Sequence, residues 1–548
     1  MRILSVSEVQ ALEAAADAAG QTYAKMMARA GDGVARTIQA RGLVDGKMIL
    51  ALIGPGNNGG DGLVAARLLQ EAGAAVTAYL SRDRDAEEDA VYHEAVEAGV
   101  HIQTSAEDKG YTRLDQLVLQ ADVIVDALLG TGATPPLRGT IAEIVEIVSE
   151  ALSRRKQQPL TSVRYLPPPS PPHPEIVAVD GPSGLDHDTG EIDESALKAH
   201  VTVTFATPKW GHVNMPGAAS VGELIVADIG IGDVVEMPQG PSLTDPHLVQ
   251  AWLPKRPMDA HKGTFGKAMI VAGSANYTGA AILASTAALR AGTGLVTLAL
   301  PSELHAAVVA AMPEITYLLL PHSLGVLNEH AVSVLMDGLE DYDALLIGPG
   351  LGNTPETRAF LTALLGSGNR KRHPGFLRDE LVPEASEPLP PLIIDADGLN
   401  ILSQMPDWPD RLPPETVLTP HPGEMSRLTG LSVAEIQSQR VEIAQAWADT
   451  WGQTVVLKGA FTVIAGPDRE PELLPFANPG LSSAGTGDVL AGTIVALRAQ
   501  GLGAFEAAVA GGYLHGLAGE IVTRRTGLAG TSAGDVMRAL PEAWHRVT

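Results

Sequence analysis

Three polar loops in the first half of the chain carry residues that could bind a hard cation and transfer a proton. The loops are 54–62, 126–136 and 180–186, and each comes at or just after an apolar run typical of a buried strand. Together they supply amide, hydroxyl and carboxylate oxygens, a donor set of low charge. Such donors suit an alkali cation or a well-hydrated Mg²⁺ ion better than a soft transition metal. A further carboxylate, Asp180, could then move a proton.

The first of these loops, GPGNNGGDG, also fits the glycine fingerprint of dinucleotide-binding folds. Asp83 lies about where that fingerprint places a ribose-binding acid, so a Rossmann dehydrogenase is one interpretation. The two asparagines and the aspartate of the loop are not required by the fingerprint, however, and the chain has no evident separate domain for hydride transfer. By itself, this stretch of sequence therefore predicts only a strand that turns tightly into a helix, and the amides at the start of that helix could hold a phosphate group.

The second half of the chain contains a comparable set of polar strand ends and one anion-binding helix start. Gly485-Thr486-Gly487-Asp488 precedes a helix predicted to begin near Val489, so the amides of 485–488 would form an anion hole. Asp488 would stand beside the bound phosphate, where it could deprotonate or orient a hydroxyl group. No Walker A motif occurs, so any nucleotide is expected to bind without a P-loop. Further strand ends supply Asp395, Asp397, His421, Glu424 and the segment 458–462.

These residues need a scaffold of parallel strands, and the hydrophobic pattern predicts one in each half of the chain. Five apolar runs lie between 47 and 208, and eight more follow between 267 and 466. Their alternation with helical stretches favours an α/β fold with doubly wound parallel sheets, in which the carboxyl ends of the strands meet at one edge. Helices are predicted at about 7–18, 62–73, about 86–98 and 139–153, with alanine-rich helices from 488 onward.

The alternation lapses at 232–246, which predicts a domain boundary. We expect a first domain over 1–235, a linker over 236–246 and a second domain over 247–548. A proline-rich insertion, 154–174, interrupts the first domain and has the polyproline character of a surface segment, with a docking motif as the alternative interpretation. A second solvated insertion is expected around 366–390.

The composition narrows the possible functions of the 548-residue chain. Its net charge of −26 opposes binding to nucleic-acid backbones and to anionic membranes. The absence of cysteine excludes disulfides, thiolate nucleophiles and zinc–thiolate sites. Glu8 and Glu13 lie where a signal peptide would need an apolar core, and no apolar stretch is long enough to span a membrane, so a cytoplasmic location is expected.

The loops GPGNNGGDG, DALLGTG and DGPSGLD closely resemble the signature loops of the NAD(P)H-hydrate epimerases, the YjeF N-terminal family. The resemblance covers roughly 1–235, apart from the insertion. It implies a Rossmann-like domain that binds potassium and interconverts the two C6 epimers of hydrated NADH and NADPH. The implied potassium ligands are Asn58, Asp126 and Ser183, and Asp180 would contact the reacting nicotinamide ring as the candidate base. The implied substrate-binding residues are Asn57, Asn58, Gly59, Gly60, Asp61, Gly130, Thr131, Gly132, Ala133, Thr134, Pro135, Pro136 and Asp180.

The segments GSANYTGAAILA, IGPGLG, DADGLN, TPHPGEM, LKGAFT and SSAGTGDVLAG resemble the ribokinase-like superfamily, and within it the NAD(P)H-hydrate dehydratases. They span most of 260–535. The resemblance implies a ribokinase-like α/β domain that dehydrates the S hydrate at the expense of ADP or ATP, with ADP expected for this domain order and Mg²⁺ bridging the phosphates. The implied chemistry is phosphorylation of the C6 hydroxyl and then loss of phosphate. The implied hydrate-binding residues are Ala280, Gly350, Gly352, His421 and the catalytic Asp488, and the implied nucleotide-binding residues are Lys458, Gly459, Ala460, Phe461, Thr462 and Gly487.

Together the two resemblances predict a bifunctional repair enzyme for hydrated nicotinamide cofactors. Its expected partners are its small-molecule substrates and further copies of the chain in a homo-oligomer. The alternative is a kinase of a small hydroxylated metabolite with a regulatory, ligand-binding first domain. The HPGE sequence beside an epimerase-type domain argues against the kinase. The carboxylates of Asp61, Asp126 and Asp180 argue against a purely regulatory first domain.

Overall fold

The structure, a computed structural model, describes residues 1–85, 89–156, 173–367 and 388–548. It consists of two compact units, Met1–Gln239 and Gly240–Thr548. Most of the insertion at 154–174 and of the loop at 366–390 lies outside the described residues, as does the predicted start of a helix at 86.

The first unit is built on one sheet of seven parallel strands in the order β3-β2-β1-β4-β5-β6-β7. The strands are β1 (Met48–Ile53), β2 (Ala75–Leu80), β3 (His101–Thr104), β4 (Val123–Ala127), β5 (Glu175–Val179), β6 (Val201–Phe205) and β7 (Glu223–Ala227). The helices are α1 (Val6–Ala18), α2 (Tyr23–Ala40), α3 (Asn57–Glu71), α4 (Ala90–Glu97), α5 (Thr112–Gln120), α6 (Gly139–Lys156) and α7 (Ala218–Val221).

Apolar cores cover both faces of this sheet. Alternate residues of β1 enter different cores, Ile49 and Ile53 on one side and Leu50 and Leu52 on the other, because successive side chains of a strand point to opposite faces. Helices α2, α3 and α4 pack on the first face, and α5 and α6 pack on the second. The strand order reverses direction between β1 and β4, and the carboxyl ends of strands at such a point form the usual ligand crevice of an open α/β sheet.

The second unit is built on a ten-stranded sheet in the order β11-β10-β9-β14-β15-β16-β17-β18-β19-β8. The strands from β11 to β17 in this order are parallel, whereas β18 is antiparallel to both of its neighbours. The strands of this unit, including the separate β12–β13 pair, are β8 (Ser242–Leu243), β9 (Lys267–Val271), β10 (Leu295–Pro301), β11 (Thr316–Leu320), β12 (His322–Ser323), β13 (Val326–Leu327), β14 (Ala344–Ile347), β15 (Leu392–Ile394), β16 (Val417–Leu418), β17 (Thr454–Leu457), β18 (Val463–Ala465) and β19 (Glu472–Leu473).

Helix α17 is the central helix of the second unit, and all of its residues from Val489 to Ala499 are buried. It packs against α9 and α18, and a Cβ atom at Gly492 would overlap the backbone of α9. The glycine-rich start of α17 is therefore held by a rigid core. The helices of this unit are α8 (Pro246–Trp252), α9 (Thr278–Arg290), α10 (His305–Val308), α11 (Ala331–Gly338), α12 (Pro355–Ser367), α13 (Asp397–Leu402), α14 (Pro422–Thr429), α15 (Val433–Ser438), α16 (Arg440–Trp451), α17 (Thr486–Ala499), α18 (Ala504–Thr526) and α19 (Ala533–Val547).

The α/β class predicted from the alternation is confirmed, and the structure adds elements that the pattern did not reveal. Strands β3 and β7 are edge strands with mostly half-exposed residues, so they lack the continuous apolar run of the central strands. Strand β8 lies inside the segment predicted as a linker and pairs with β19. Among the described residues, no helix is long and apolar enough to cross a membrane.

Candidate active sites

The first candidate site lies where the loops after β1, β4 and β5 meet, at the point where the strand order reverses. The loop after β1 contacts the loop after β4 so closely that a Cβ atom at Gly54 would overlap the carbonyl group of Leu128. Helix α3 begins at Asn57 with Gly56 as its N-cap, and no side chain caps its first turn. The amide groups of its first turn therefore have no side-chain cap, and they could bind an anion.

Three predicted potassium ligands are joined by hydrogen bonds in this crevice. The Ser183 hydroxyl donates to Asp126 Oδ1 over 2.6 Å, and the Ser183 amide donates to Asp126 Oδ2 over 2.9 Å. Ser183 Oγ also accepts from the Leu129 amide at 3.0 Å, while Asn58 Nδ2 donates to the Leu129 carbonyl at 2.9 Å. The fold therefore brings Asn58, Asp126 and Ser183 together around the loop after β4.

The chemistry of this cluster fits an alkali cation. The cluster holds amide, hydroxyl and carboxylate oxygens, and Asp126 is fully buried. A Cβ atom at Gly130 would lie 3.1 Å from Asn58 Oδ1, so a side chain at this position would crowd that oxygen. Burial raises the pKa of Asp126, against which the hydrogen bonds from Ser183 act. Among the described residues, no three His, Asp or Glu side chains gather in a cluster that could hold a metal ion.

Asp180 lies beyond β5 in a buried ion pair with Lys209. Lys209 Nζ donates to Asp180 Oδ1 over 2.6 Å, and the Thr204 hydroxyl donates to the same oxygen over 2.8 Å. Burial alone would raise the pKa of Asp180, but the positive charge of Lys209 holds it well below its ordinary value. The backbone of Asp180 has a φ of +64°, which costs energy for a residue other than glycine and is typical of functional loops.

His212 fixes the loop that carries Asp180. Its Nε2 is 2.8 Å from the Asp180 carbonyl, and its Nδ1 accepts from the Lys209 amide at 3.1 Å. Burial lowers the pKa of His212 well below its ordinary value, so the ring is neutral and Nε2 carries the proton. The Asp180–Lys209 pair is thus supported on both sides by hydrogen bonds.

Two charged residues of this site were not found by sequence reasoning. Lys209 follows β6 in TPKWGH, where no glycine-rich loop marks it. Glu13 comes from α1. The segment before this helix is bonded to the loop that carries Lys209, since the Leu4 amide donates to the Pro208 carbonyl over 3.1 Å. Burial is the largest cause of the raised pKa of Glu13; the positive charge of Lys209 opposes this rise, and the negative charge of Asp180 adds to it.

The other predicted epimerase residues are divided between the helix start and the loop after β4. Asn58, Gly59, Gly60 and Asp61 are buried in the first turns of α3, whereas Asn57 is exposed. The loop 130–136 after β4 is half-buried to exposed and lies at the rim of the crevice. Asp83 is exposed, and the neighbouring Arg84 instead supports the first loop by donating to the carbonyls of Gly54 and Gly56.

The second candidate site lies at the carboxyl ends of β14, β15, β16 and β17. Asp395, at the end of β15, is 1 % exposed and accepts hydrogen bonds from the Thr419 hydroxyl at 2.7 Å and from Lys458 Nζ at 2.8 Å. Burial works against the charge of Lys458, but Asp395 and Glu424 nevertheless raise its pKa. The lysine therefore remains a cation with carboxylates on one side.

His421 and Glu424 form a reciprocal cap at the start of α14. His421 Nδ1 accepts from the amides of Gly423 and Glu424 at 3.0 and 3.3 Å, and Glu424 accepts from the His421 amide at 2.8 Å. Burial and the charge of Lys458 lower the pKa of His421, so the imidazole is neutral with its proton on Nε2. That nitrogen is 3.4 Å from Glu424 Oε1, and half of the imidazole is exposed to the crevice. His421 can thus present an N–H donor to a ligand.

Asp488 lies in the first turn of α17, which begins at Thr486 rather than near Val489 as predicted. Gly485 has a φ of +90° and forms the N-cap, a conformation that favours glycine. Burial, reinforced by the negative charge of Asp395, raises the pKa of Asp488 to about 7. A Cβ atom at Gly487 would lie 3.5 Å from Lys458 Nζ, so the lysine stands beside the same helix start.

The predicted hydrate-binding residues Ala280, Gly350 and Gly352 also lie close together. A Cβ atom at Gly350, whose φ is +63°, would lie 2.8 Å from the Ala280 Cβ atom, so only a residue without a side chain fits there. The Gly352 amide donates to Asp397 Oδ2 over 2.8 Å, and Asp397 in turn contributes to the raised pKa of Asp488. These contacts place Ala280, Gly350 and Gly352 along one wall of the crevice.

The predicted nucleotide-binding segment 458–462 connects β17 and β18 and is half-buried to exposed. Its turn is closed by the Thr462 hydroxyl, which bonds to the amide and the carbonyl of Gly459. Arg440, which sequence reasoning missed, packs on Gly459 and donates to the Leu457 carbonyl over 2.9 Å. Burial lowers the pKa of Arg440 to about 10, and no carboxylate of the described residues forms an ion pair with it.

A phosphate group fits the charges and donors of this second crevice. The amides at the start of α17 and the ammonium of Lys458 adjoin each other, and both attract anions. Arg440 adds a second cation at the base of the 458–462 turn. The nearby carboxylates supply oxygen donors of the kind that Mg²⁺ prefers.

Comparisons with known proteins agree with both halves of the structure. Residues 268–542 match the family model of the NAD(P)H-hydrate dehydratases, and residues 23–211 match that of the YjeF-related protein N-terminus. A bifunctional NAD(P)H-hydrate repair enzyme of Moorella thermoacetica is 38 % identical over 526 residues, which are 94 % of this chain and 91 % of the relative. That of Escherichia coli K12 is 33 % identical over 96 % of this chain and 90 % of the relative.

Among solved structures, the ADP/ATP-dependent NAD(P)H-hydrate dehydratase of Bacillus subtilis, crystallised with ATP and Mg²⁺, matches 57 % of this chain and all of its own chain, with 31 % identity and a TM-score of 0.46. The family is established by the sequence matches, which span nearly the full length of this chain and of its relatives. The chain belongs to the family of bifunctional NAD(P)H-hydrate repair enzymes.

Proposed function

We propose that this chain regenerates NADH and NADPH from their hydrates with two active sites. The first unit interconverts the R and S hydrates at C6, and the second unit dehydrates the S hydrate with phosphate transfer from an adenine nucleotide. The observation that carries this proposal is Asp488, whose pKa of about 7 and position beside Lys458 at the start of α17 suit a base next to a bound phosphate. The acid–base cluster around Asp180 and Lys209 supports the epimerase half.

In the dehydratase site, Asp488 removes the proton of the C6 hydroxyl while that oxygen attacks the terminal phosphoryl group of the nucleotide. The nucleotide leaves one phosphate shorter, and the C6 oxygen now carries the phosphoryl group. Loss of this phosphate breaks the C6–O bond, and loss of a proton from C5 completes the C5=C6 double bond of the dihydronicotinamide. Phosphate leaves far more readily than hydroxide, which explains why dehydration is coupled to a nucleotide.

The residues around Asp488 divide between the two ligands. We propose that Ala280, Gly350, Gly352 and His421 contact the hydrate, with the His421 Nε2–H as a hydrogen-bond donor. Lys458, Gly459, Ala460, Phe461, Thr462 and Gly487 contact the nucleotide, for which ADP is our first choice. Mg²⁺ would neutralise charge on the phosphates as they are transferred.

In the epimerase site, Asp180 contacts the nicotinamide ring, and residues 57–61 and 130–136 also hold the substrate. The low pKa of Asp180 makes it a weak base, so its carboxylate is better suited to stabilise positive charge on the ring than to remove a proton. We propose that Asn58, Asp126 and Ser183 bind potassium, which would supply a fixed positive charge beside the substrate. A homo-oligomeric assembly and a cytoplasmic location stay predictions of the sequence.

Mixed R and S hydrates of NADH test the proposal when they are incubated with the protein, K⁺, Mg²⁺ and either ADP or ATP. We expect NADH absorbance to recover completely with one nucleotide or both, because epimerisation feeds the dehydratase. Recovery that stops at the S fraction would remove the epimerase half of the proposal. No recovery with either nucleotide, together with phosphorylation of a small hydroxylated metabolite, would instead support the kinase alternative.

A further inference from the structure

Asp61 is a carboxyl group for which the epimerase site, as described so far, has no chemical role. It lies in the second turn of α3 and is 9 % exposed. Helix α2 packs closely on the backbone of α3 at this residue, since a Cβ atom at Gly31 would lie 2.9 Å from the backbone carbonyl oxygen of Asp61. Among the hydrogen bonds formed by the described residues, none involves the Asp61 carboxyl group. Its oxygens are not among the fully buried polar atoms that lack a partner, so a ligand can reach this carboxyl group.

The nearby cation is not available to Asp61. The three N–H groups of an ammonium can serve three acceptors, and Lys209 Nζ already has Asp180 Oδ1 at 2.6 Å, Thr204 Oγ1 at 2.8 Å and the Phe205 carbonyl at 3.2 Å. Lys209 is therefore committed to Asp180, which keeps that carboxylate ionised.

The charges that face Asp61 favour its protonated form. Burial is the largest cause of its raised pKa, and the negative charges of Asp180 and Glu13 raise it further, against a smaller opposing effect of Lys209. These groups come from every element that contributes charge here: α1, the loop after β5 and the loop after β6. The surroundings thus favour the ionised form of Asp180 and the protonated form of Asp61, and two carboxyl groups pushed in opposite directions are typical of an acid and its counterpart.

We propose that Asp61 is the general acid of the epimerase, which rests on the epimerase function proposed above. The Asp61 O–H bond breaks as its proton passes to the C6 hydroxyl oxygen of the hydrate. The C6–O bond then breaks, water leaves, and the lone pair of the ring nitrogen N1 forms an N1=C6 double bond. Asp180 stabilises the resulting ring cation. Water adds back to the planar C6 from either face, and its proton returns to Asp61, so that atoms and charge balance over the cycle.

The test measures interconversion of purified R and S hydrates by chromatography, with the uncatalysed rate subtracted, for the full-length wild type, Asp61→Asn and Asp61→Glu. Asp61→Asn is expected to lower kcat by about 10²-fold or more, the usual contribution of a general acid, with a much smaller change in KM. Asp61→Glu is expected to restore part of kcat, since it restores the proton. The matched control is Asp32→Asn, which makes the same replacement on α2 at a side chain that is 44 % exposed. Dehydratase activity of each variant reports whether the chain has folded.

The pH profile separates proton donation from a structural role. Wild-type kcat is expected to fall as pH rises through the raised pKa of Asp61, because the acid form is lost. Glu13→Gln removes a negative charge that raises this pKa, so the fall is expected to begin at lower pH. Three results would each overturn the assignment. They are a wild-type kcat in Asp61→Asn, an effect of Asp61→Asn on KM alone, and a pH dependence of kcat that Glu13→Gln does not shift. A wild type that does not interconvert the epimers would overturn the proposed function itself.

Discussion

Replacing Asp488 by asparagine should abolish dehydration and, at the same time, stabilise the second unit above neutral pH. The activity half of this prediction follows from the loss of the base beside the phosphate site. Because the pKa of Asp488 is about 7, wild-type kcat/KM for dehydration should rise with pH through about 7 and then level off. Asparagine cannot accept the proton, so the variant should have no such rise.

The stability half follows from the same pKa. A carboxyl group with an ordinary pKa of 3.8 that titrates at about 7 in the folded protein binds its proton more tightly when folded. Between about pH 4 and pH 7 the unfolded chain has lost the proton and the folded chain retains it, so the stability of the wild type falls as pH rises. At about 1.4 kcal/mol per pH unit, the total loss is about 4 kcal/mol, reached near pH 7 and constant above it.

Asparagine has no charge to bury, so the free energy of unfolding of the variant should not fall in this way as pH rises. Urea unfolding of the wild type and of Asp488→Asn at several pH values between 5 and 9 would measure the difference in the free energy of unfolding. Tryptophan fluorescence is a suitable signal, since five of the six tryptophans lie in the second unit. The variant should gain on the wild type between pH 5 and pH 7 and keep the gain above pH 7.

Two results would refute this reasoning. A difference in unfolding free energy that does not change with pH would show that Asp488 is not a buried acid with a raised pKa. A variant that retains the wild-type dehydration rate would show that another group removes the hydroxyl proton.

Three further predictions address the cation and anion sites. Lys209→Met leaves Asp180 buried without its counter-charge, so it should destabilise the first unit by about 3–5 kcal/mol in thermal unfolding and abolish epimerisation; a variant with unchanged activity would contradict the role of the pair. Ser183→Ala removes one oxygen donor beside Asp126, so a potassium titration of epimerase activity should have its midpoint at higher concentration, and an unchanged midpoint would exclude Ser183 as a ligand. Arg440→Ala should raise KM for the nucleotide about tenfold or more, the equivalent of one charge-assisted hydrogen bond, while KM for the hydrate stays constant; equal increases in both would indicate a general disturbance of the crevice.

The central strands and the loops that follow them could be predicted because their signals are local. A buried parallel strand needs a continuous apolar run, and a chain that turns sharply into a helix needs glycine, so both features are visible within about ten residues. Asn58, Asp126 and Ser183 come from separate loops, but all three loops end parallel strands of one sheet. The carboxyl ends of these strands lie at the same edge of the sheet, so the topology brings the three residues together.

Lys209, Glu13 and Arg440 could not be predicted in the same way, because their roles depend on contacts between distant segments. Lys209 is 29 residues from its partner Asp180 and carries no motif of its own. Glu13 belongs to an N-terminal helix whose position is fixed by the bond between Leu4 and Pro208. Arg440 begins an ordinary surface-type helix, and only the structure shows that its guanidinium packs on the 458–462 turn.

The states of the carboxyl groups were likewise beyond sequence reasoning. The sequence predicts Asp180 as the candidate base, and only the structure shows that the positive charge of Lys209 lowers the pKa of this carboxyl group. Asp488 was expected beside a phosphate, and its burial near Asp395 gives it the pKa that a base needs at neutral pH. Both states follow from which charges lie nearby, and a sequence does not contain that information.

If one chain carries two separate chemical steps, a time course with the purified R hydrate of NADH should resolve them. With K⁺, Mg²⁺ and nucleotide, the wild type should convert the R hydrate first to the S hydrate and then to NADH, with a lag while the S hydrate forms. Asp488→Asn should produce the S hydrate and stop there. NADH formation by Asp488→Asn, or wild-type conversion of the R hydrate to NADH without the S hydrate as an intermediate, would show that the two steps are not divided between the two units in this way.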